Sequence, residues 1–358
     1  MPLPHPLLRR HLLLGALLGL LPGAPQAAAA RPRPHYAVAG HEQPVALLRA
    51  GRATYLVTQH SVFRLEGAQF VRKYQSPSVI QCASAADTVL WLGTRRGAVG
   101  LDLDPGSTGC RPHPLALPGA AATAPVTALF QDAQGALWAG ADGYGAFRRA
   151  PGGAFVAELN TPAINAGAAT ADGSVWLATN VGLSRKQGPT WTHYNEEGVA
   201  NREIPDNIVE KLLPDNAGAL WVVMSDAISV FGPTPLATGE AEAPTVKFLG
   251  RPGNEVYTVA SVPGVGRVFA TAMGLLLLPT ATTAPLTAPA TDEVAPQRLL
   301  VPLPALPGAT NAAAPVLVQV DAQQRVWLAN ADEITVLTAK EFRKFAQRAP
   351  AATKGLAN

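Results

Sequence analysis

Short runs of alternating apolar and polar residues, each bounded by turn-forming residues, fill most of the chain, and seven of them carry an aromatic residue at one repeated place. These are Tyr55, Trp91, Trp138, Trp176, Trp221, Phe269 and Trp327. Most are followed within two residues by a small residue: Gly93, Gly140, Ala178, Ala270 and Ala329. Alternation with a period of two is the pattern of half-buried strands. The intervals between successive aromatics are 36, 47, 38, 45, 48 and 58 residues. That spacing holds four short strands with their turns, and repetition at such a period is the mark of blades arranged in a circle. The pattern predicts an all-β fold, a seven-bladed β-propeller of four-stranded antiparallel blades, with boundaries near residues 44–75, 78–119, 125–160, 164–205, 208–252, 255–312 and 316–348.

Within a blade the strands follow from turn chemistry. In the third, residues 126–131 read as the inner strand, Asp132 to Gly135 as a turn, 136–140 as the second strand, 143–145 as a second turn, 146–149 as the third strand and 154–159 as the outer one. Asp bonds backbone two residues on, and Gly accepts positive φ. Asp172-Gly173, Asp215 to Gly218 and Asp321 to Gln324 stand at the equivalent first turn. The large ring after each turn fills the wedge between neighbouring blades, where its N–H requires a partner. Residues 232–246 and 279–301 are rich in Ala, Pro and Thr and read as long connections at blade edges. Residues 36–40 are expected to add an outer strand to the last blade and close the ring.

The first thirty residues have the layout of an export signal: Arg9 and Arg10, an apolar run from Leu12 to Leu21, then Ala28-Ala29-Ala30. The apolar run is about half the roughly 20 residues a membrane span needs, so no transmembrane segment is expected once the signal is removed. The organisation expected is therefore a signal peptide at 1–30, a propeller at 31–350 and a disordered tail at 351–358, in a periplasmic or secreted protein. Losing Arg9 and Arg10 from 28 basic residues, against 25 acidic ones, leaves a nearly neutral chain. Such balance argues against nucleic acid as partner. The basic cluster at 340–348 reads as a solvated terminal strand or helix.

Cys82 falls on an inner strand and Cys110 in or after the third hairpin of the same blade, which makes a bridge the less favoured arrangement. With no paired histidine spacing and no Cys-x-x-Cys, neither a metal nor a cofactor is implied.

The stretch Gln131-Asp132-Ala133-Gln134-Gly135-Ala136-Leu137-Trp138-Ala139-Gly140 resembles the two-component-regulator propeller repeat, and Ala171-Asp172-Gly173-Ser174-Val175-Trp176-Leu177-Ala178-Thr179 resembles it too. Residues 193–221 are similar to that family's passage from an outer strand into the next blade. The resemblance implies a propeller of the kind that forms periplasmic sensor regions of hybrid histidine kinases, frequently concerned with sugars. No kinase or receiver region is recognisable in this chain, so the expectation is a freestanding exported propeller.

No local signature of hydrolysis or nucleotide chemistry is present, but a propeller can build a site from one residue per loop. The turns between second and third strands, with the links between blades, gather on one face. That face would present His60, Arg95, Arg96, Asp142, Tyr144, Asn180, Asp226 and Asp332 as ligand-binding candidates. Paired arginines suit a carboxylate or sulfate, and the remainder can hydrogen-bond a polar ligand. The competing reading is that turn residues are polar because they are wet. Three functions stay open: a non-catalytic binder of a ligand or partner such as a glycan or envelope protein, an exported lyase or hydrolase with a dispersed site, and a scaffold using the long connections.

Overall fold

The computed structural model describes residues 35–86, 88–103, 110–196, 202–225, 227–232, 245–246, 255–279, 301–304 and 314–348. The expected signal peptide, the terminal tail, most of the two long connections and candidate Asp226 lie outside the described residues. The described chain is a seven-bladed β-propeller.

The inner strands are Pro44–Ala50, Ile80–Ala85, Val126–Gln131, Ile164–Ala169, Val209–Pro214, Val256–Val262 and Leu317–Val320. Each touches the inner strand of the next blade, and the last touches the first, so the ring is closed. Six of the seven carry a register shift near their start, at Pro44/Ala46, Ile80/Cys82, Val126/Ala128, Ile164/Ala166, Val209/Lys211 and Val256/Thr258. A bulge bends a strand and raises its twist. Repeated in this way, it shapes every blade alike at the mouth of the ring. Blade four also gains a short fifth strand, Arg202–Glu203, parallel to the outer strand Thr190–Asn195.

Blade seven is completed from the other end of the chain. Strand His35–Ala37 pairs antiparallel with Glu333–Thr338, and Tyr36 stacks on Trp327 with centroids 6.0 Å apart while meeting Phe70 of blade one edge-on at 5.6 Å. One aromatic thus joins the last blade to the first.

Buried apolar residues of the described chain group into clusters that each straddle one junction between neighbouring blades. All seven repeat aromatics are buried. A lone four-stranded sheet is marginal in water, so this shared burial, about 1.5–3 kcal/mol for each large side chain, is what makes the blades stable. The small residue two places after the aromatic is dictated by close approach: a Cβ on Gly140 would sit 2.4 Å from Ile164 Cγ2 of the next blade.

The first-turn aspartate acts as a hub. Asp132, Asp215 and Asp321 each accept one bond from the indole Nε1 six residues on (2.8, 3.0 and 2.8 Å) and two more from the backbone of their own turn. An arginine completes each: Arg148 to Asp132, Arg325 to Asp321, and Arg267 of blade six reaching back to Asp215 of blade five. Blade four departs from the expected equivalence. Thr170 stands where the aspartate would, its hydroxyl accepts from Trp176 Nε1 at 3.0 Å, and Asp172, two residues later, braces Thr170, Ser174 and Arg185.

The expectation for the terminal basic cluster needs correction. Residues Ala339–Ala346 form a helix with a Thr338/Glu341 capping box, and it is not simply solvated: Phe342, Phe345 and Ala346 bury their face against the junction of blades six and seven. The period-two alternation of the strands gave no warning of an i, i+3 pair at the end of the chain.

Candidate functional site

Backbone hydrogen bonds fix which turns share a face. In blades one to four and six the turn between second and third strands is tied to the link entering its own blade or the next: Gln59 N to Gln43 O, Ile80 N to Gln59 O, Arg95 N to Val79 O, Asp142 N to Pro125 O, Gly143 N to Pro162 O, Gly182 N to Asn207 O and Ala272 N to Glu255 O, all between 2.7 and 3.0 Å. We call this the upper face. The Asp-hub turns, at the opposite ends of the same strands, form the lower one.

A recurring threonine stiffens these upper turns. Thr94 Oγ1 donates to Gly97 O (2.9 Å) and accepts from Arg96 N (3.0 Å); Thr179 does the same with Gly182 and Val181, and Thr271 with Gly274 and Met273. Asn330 serves blade seven by accepting from the N–H groups of Asp332 and Glu333. In blades two, three, four and six the third strand starts on a glycine, and in blade four no other residue replaces it easily: Gly182 has φ 112° and a Cβ there would lie 2.0 Å from Tyr194 O. Side chains at the turn tips are therefore carried on backbone that is already bonded.

His60, Arg95, Arg96, Asp142 and Tyr144 all project from these turns and are exposed. Among the described residues none of these five side chains has a hydrogen-bond or ion-pair partner, and none is joined to another. Asn180 is exposed as well but is held in place: its Oδ1 accepts from Asn165 Nδ2 at 2.8 Å, and the same amide donates to Val209 O at 2.7 Å. Asp332 is half-buried and engaged by His41 Nδ1. Asp226 is outside the described residues.

The segment before the first blade supplies groups that sequence reasoning missed. Glu42 reaches the upper turn of blade one, where Oε2 accepts from Thr58 Oγ1 and from His60 N (3.1 Å) and Oε1 accepts from Ser61 Oγ (3.0 Å). His35 Nε2 lies 3.2 Å from the buried carboxylate of Glu333. These residues precede the repeat, so no period points to them. The one cue is position, since a strand that closes the ring must bring its neighbours to the same junction.

The cysteines are separate. Both are free thiols, Cys82 on the inner and Cys110 on the outer strand of blade two, separated by three strand spacings, about 14 Å across the sheet, and further offset along it because the register sets Cys82 in line with Leu115. Burial pushes the Cys82 thiol up to about 12, and its Sγ–H points at Val126 O of the next blade at 3.5 Å. Among the described residues no group of three or more His, Cys, Asp or Glu is placed to hold a metal ion, and no helix is long and apolar enough to cross a membrane.

No protein-family model and no curated protein sequence matches the chain. Solved structures do. The extracellular domain of a hybrid two-component system protein from B. thetaiotaomicron aligns with a TM-score of 0.57 at 14% identity, over 82% of this chain and 40% of that one. A streptogramin B lyase aligns with a TM-score of 0.58 at 14% identity, over 85% and 96% of the two chains. YCF48 bound to D1 peptide aligns with a TM-score of 0.56 at 11% identity, over 87% and 96%. What they share with this chain is the propeller. The chain spans only 40% of that extracellular domain's length, and at such identities the likeness is one of fold.

Proposed function

We propose that the protein is an exported, non-catalytic β-propeller of the two-component-regulator repeat type that binds a ligand or protein partner on its upper face, in the periplasm or outside the cell. In this reading residues 1–30 are its removable signal, 31–350 the propeller and 351–358 a tail, and the partner is a glycan or an envelope protein. The observation that carries the reading is the set of unpartnered polar side chains, His60, Arg95, Arg96, Asp142 and Tyr144, mounted on turns whose backbone is already bonded. Backbone that is already bonded carries no further ordering cost on binding, so only the side chains themselves lose freedom. A lyase or hydrolase would need an acid or base within hydrogen-bonding reach of a second catalytic group. His60 shares no bond with Arg95, Arg96 or Asp142 among the described residues, which favours binding over turnover. The fold serves peptide binding in YCF48 and carries a lyase in the streptogramin enzyme, so fold alone decides nothing between the two.

The test is the double variant Arg95→Ala/Arg96→Ala, titrated against a panel of anionic glycans and acidic peptides. A guanidinium paired with an anion contributes about 1.5–3 kcal/mol, so affinity for the bound probe falls tenfold or more while the melting temperature holds. Unchanged affinity for every bound probe removes this face from the function.

A further inference from the structure

Exposed apolar side chains are distributed unevenly over the molecule. Among the described residues five large apolar side chains are exposed: Tyr144 at 45%, Val156 at 56%, Val181 at 69%, Ile208 at 48% and Met273 at 55%. Four of them stand on the upper face. Tyr144, Val181 and Met273 occupy the upper turns of blades three, four and six, and Ile208 ends the link into blade five; Val156 alone lies elsewhere, on an outer strand. Single exposed apolar residues are ordinary, but a run on one face is not.

Val181 and Ile208 stand on adjoining backbone. Their neighbours Gly182 and Asn207 are bonded, N to O, at 2.7 Å, and Asn165 ties Asn180 to Val209 on the other side. Tyr144 belongs to the preceding turn, whose Gly143 N is bonded to Pro162 O in the link to blade four. Exposed apolar side chains therefore form a series on the upper turns of blades three and four and the link into blade five. At its blade-two end stand Arg95 and Arg96, two cations without a partner among the described residues.

Resting on the upper-face reading, we infer that the occupant is an extended peptide segment of another protein, with apolar side chains on blades three to five and one or more carboxylates at Arg95 and Arg96. A glycan gains little from Val181 and Ile208, whereas aliphatic or aromatic side chains gain by covering them. The guanidiniums supply the complementary charge that fixes the direction of the chain. Three blade steps of about 10 Å each span about 30 Å, which about nine extended residues cover.

The experiment selects from a phage-displayed library of random peptides about 12 residues long on the folded protein, beside an array of anionic glycans. Enriched peptides carry Asp, Glu or the free carboxyl terminus next to at least two large apolar residues. A labelled member loses affinity tenfold or more with Val181→Asp and again with Arg95→Ala/Arg96→Ala. Ile208→Asp gives the same loss should Val181→Asp fold poorly by its melt. Enrichment of basic or wholly polar peptides overturns the inference. So does glycan binding that depends on Arg95 and Arg96 with no peptide enriched, although the upper-face reading then stands. Absence of both kinds of binding, or binding indifferent to all these substitutions, removes the inference and that reading together.

Discussion

Asp215→Ala tests the claim that the first-turn aspartates hold the blades together. The Asp215 side chain is fully buried and takes four donors: Ala217 N at 2.9 Å, Ala219 N at 3.0 Å, Trp221 Nε1 at 3.0 Å and Arg267 Nε at 3.3 Å. Removing the carboxylate leaves them with nothing to replace it. Ala217 is at an exposed turn tip, and Arg267 retains some access to water, so both are rescued by hydration. Ala219 N and the indole are buried, and a stranded donor costs about 1–3 kcal/mol. Together these two give a loss of about 4 kcal/mol, which lowers Tm by about 5 °C in a chain of this size. Trp221→Phe, by contrast, keeps most of the ring and leaves Asp215 its other three donors, so it costs about 1–2 kcal/mol. Urea unfolding followed by tryptophan fluorescence measures both, provided the denaturant slope is unchanged so that midpoints report stability. A loss below about 1 kcal/mol for Asp215→Ala, or a larger one for Trp221→Phe, would refute the hub.

Trp176→Ala removes a ring packed on Tyr194 and Phe231 (centroids 6.0 and 4.7 Å) beneath the Arg185 guanidinium, and costs about 3–5 kcal/mol in the same assay. Acid should destabilise through Asp172 and Asp321. Burial opposes their charge, but hydrogen bonds and the nearby Arg185 and Arg325 outweigh it and hold both below the usual carboxylate range. Their contribution is complete above the unfolded value of about 3.9 and is lost as pH falls below it through the depressed folded values. Urea midpoints measured down to about pH 2 should fall over that window, and Asp172→Asn should flatten the fall; an unchanged acid limb counts against the assignment. The raised Cys82 thiol should react with iodoacetamide far more slowly than Cys110 in the native protein at pH 8, with both reacting alike in urea; equal native rates would mean that Cys82 is accessible as thiolate.

The architecture was legible because the repeat imposes the same physical demand seven times. Each wedge needs a large ring, as at Trp138 and Trp221, and each close approach needs a small residue, as at Gly93 and Gly140. The extra strand at residues 35–37 was legible for a related reason, since an open ring leaves an edge to cover. Blade four shows where the pattern misleads: Asp172-Gly173 looks like the hub turn, yet the indole partner is Thr170, because a hydroxyl at that offset meets the same need. The upper face was legible in its turns and not in its contacts. Asn180 and Asp332 looked as free as Arg95, but Asn165 and His41 engage them from other parts of the chain. Glu42 was invisible, because it precedes the repeat and meets Thr58 and Ser61 only once the first hairpin of blade one has set Pro44 opposite Thr58. Tyr144 was read as a hydrogen-bonding group, and its place in a series with Val181 and Ile208 on successive blades emerged only once the turns were assembled in order.

Because strand His35–Ala37 is hydrogen-bonded to Glu333–Thr338, a strand made before blade one waits for the last strand of blade seven before it finds its partner. Blades one to six can form in turn as they are made, while Tyr36 and the exposed flank of blade one stay unsatisfied until blade seven has been made. At about 5–20 residues per second that interval is tens of seconds. A messenger truncated anywhere upstream of codon 333 therefore yields not a smaller propeller but an unclosed arc with a sticky edge at either end, a ready substrate for chaperones and proteases.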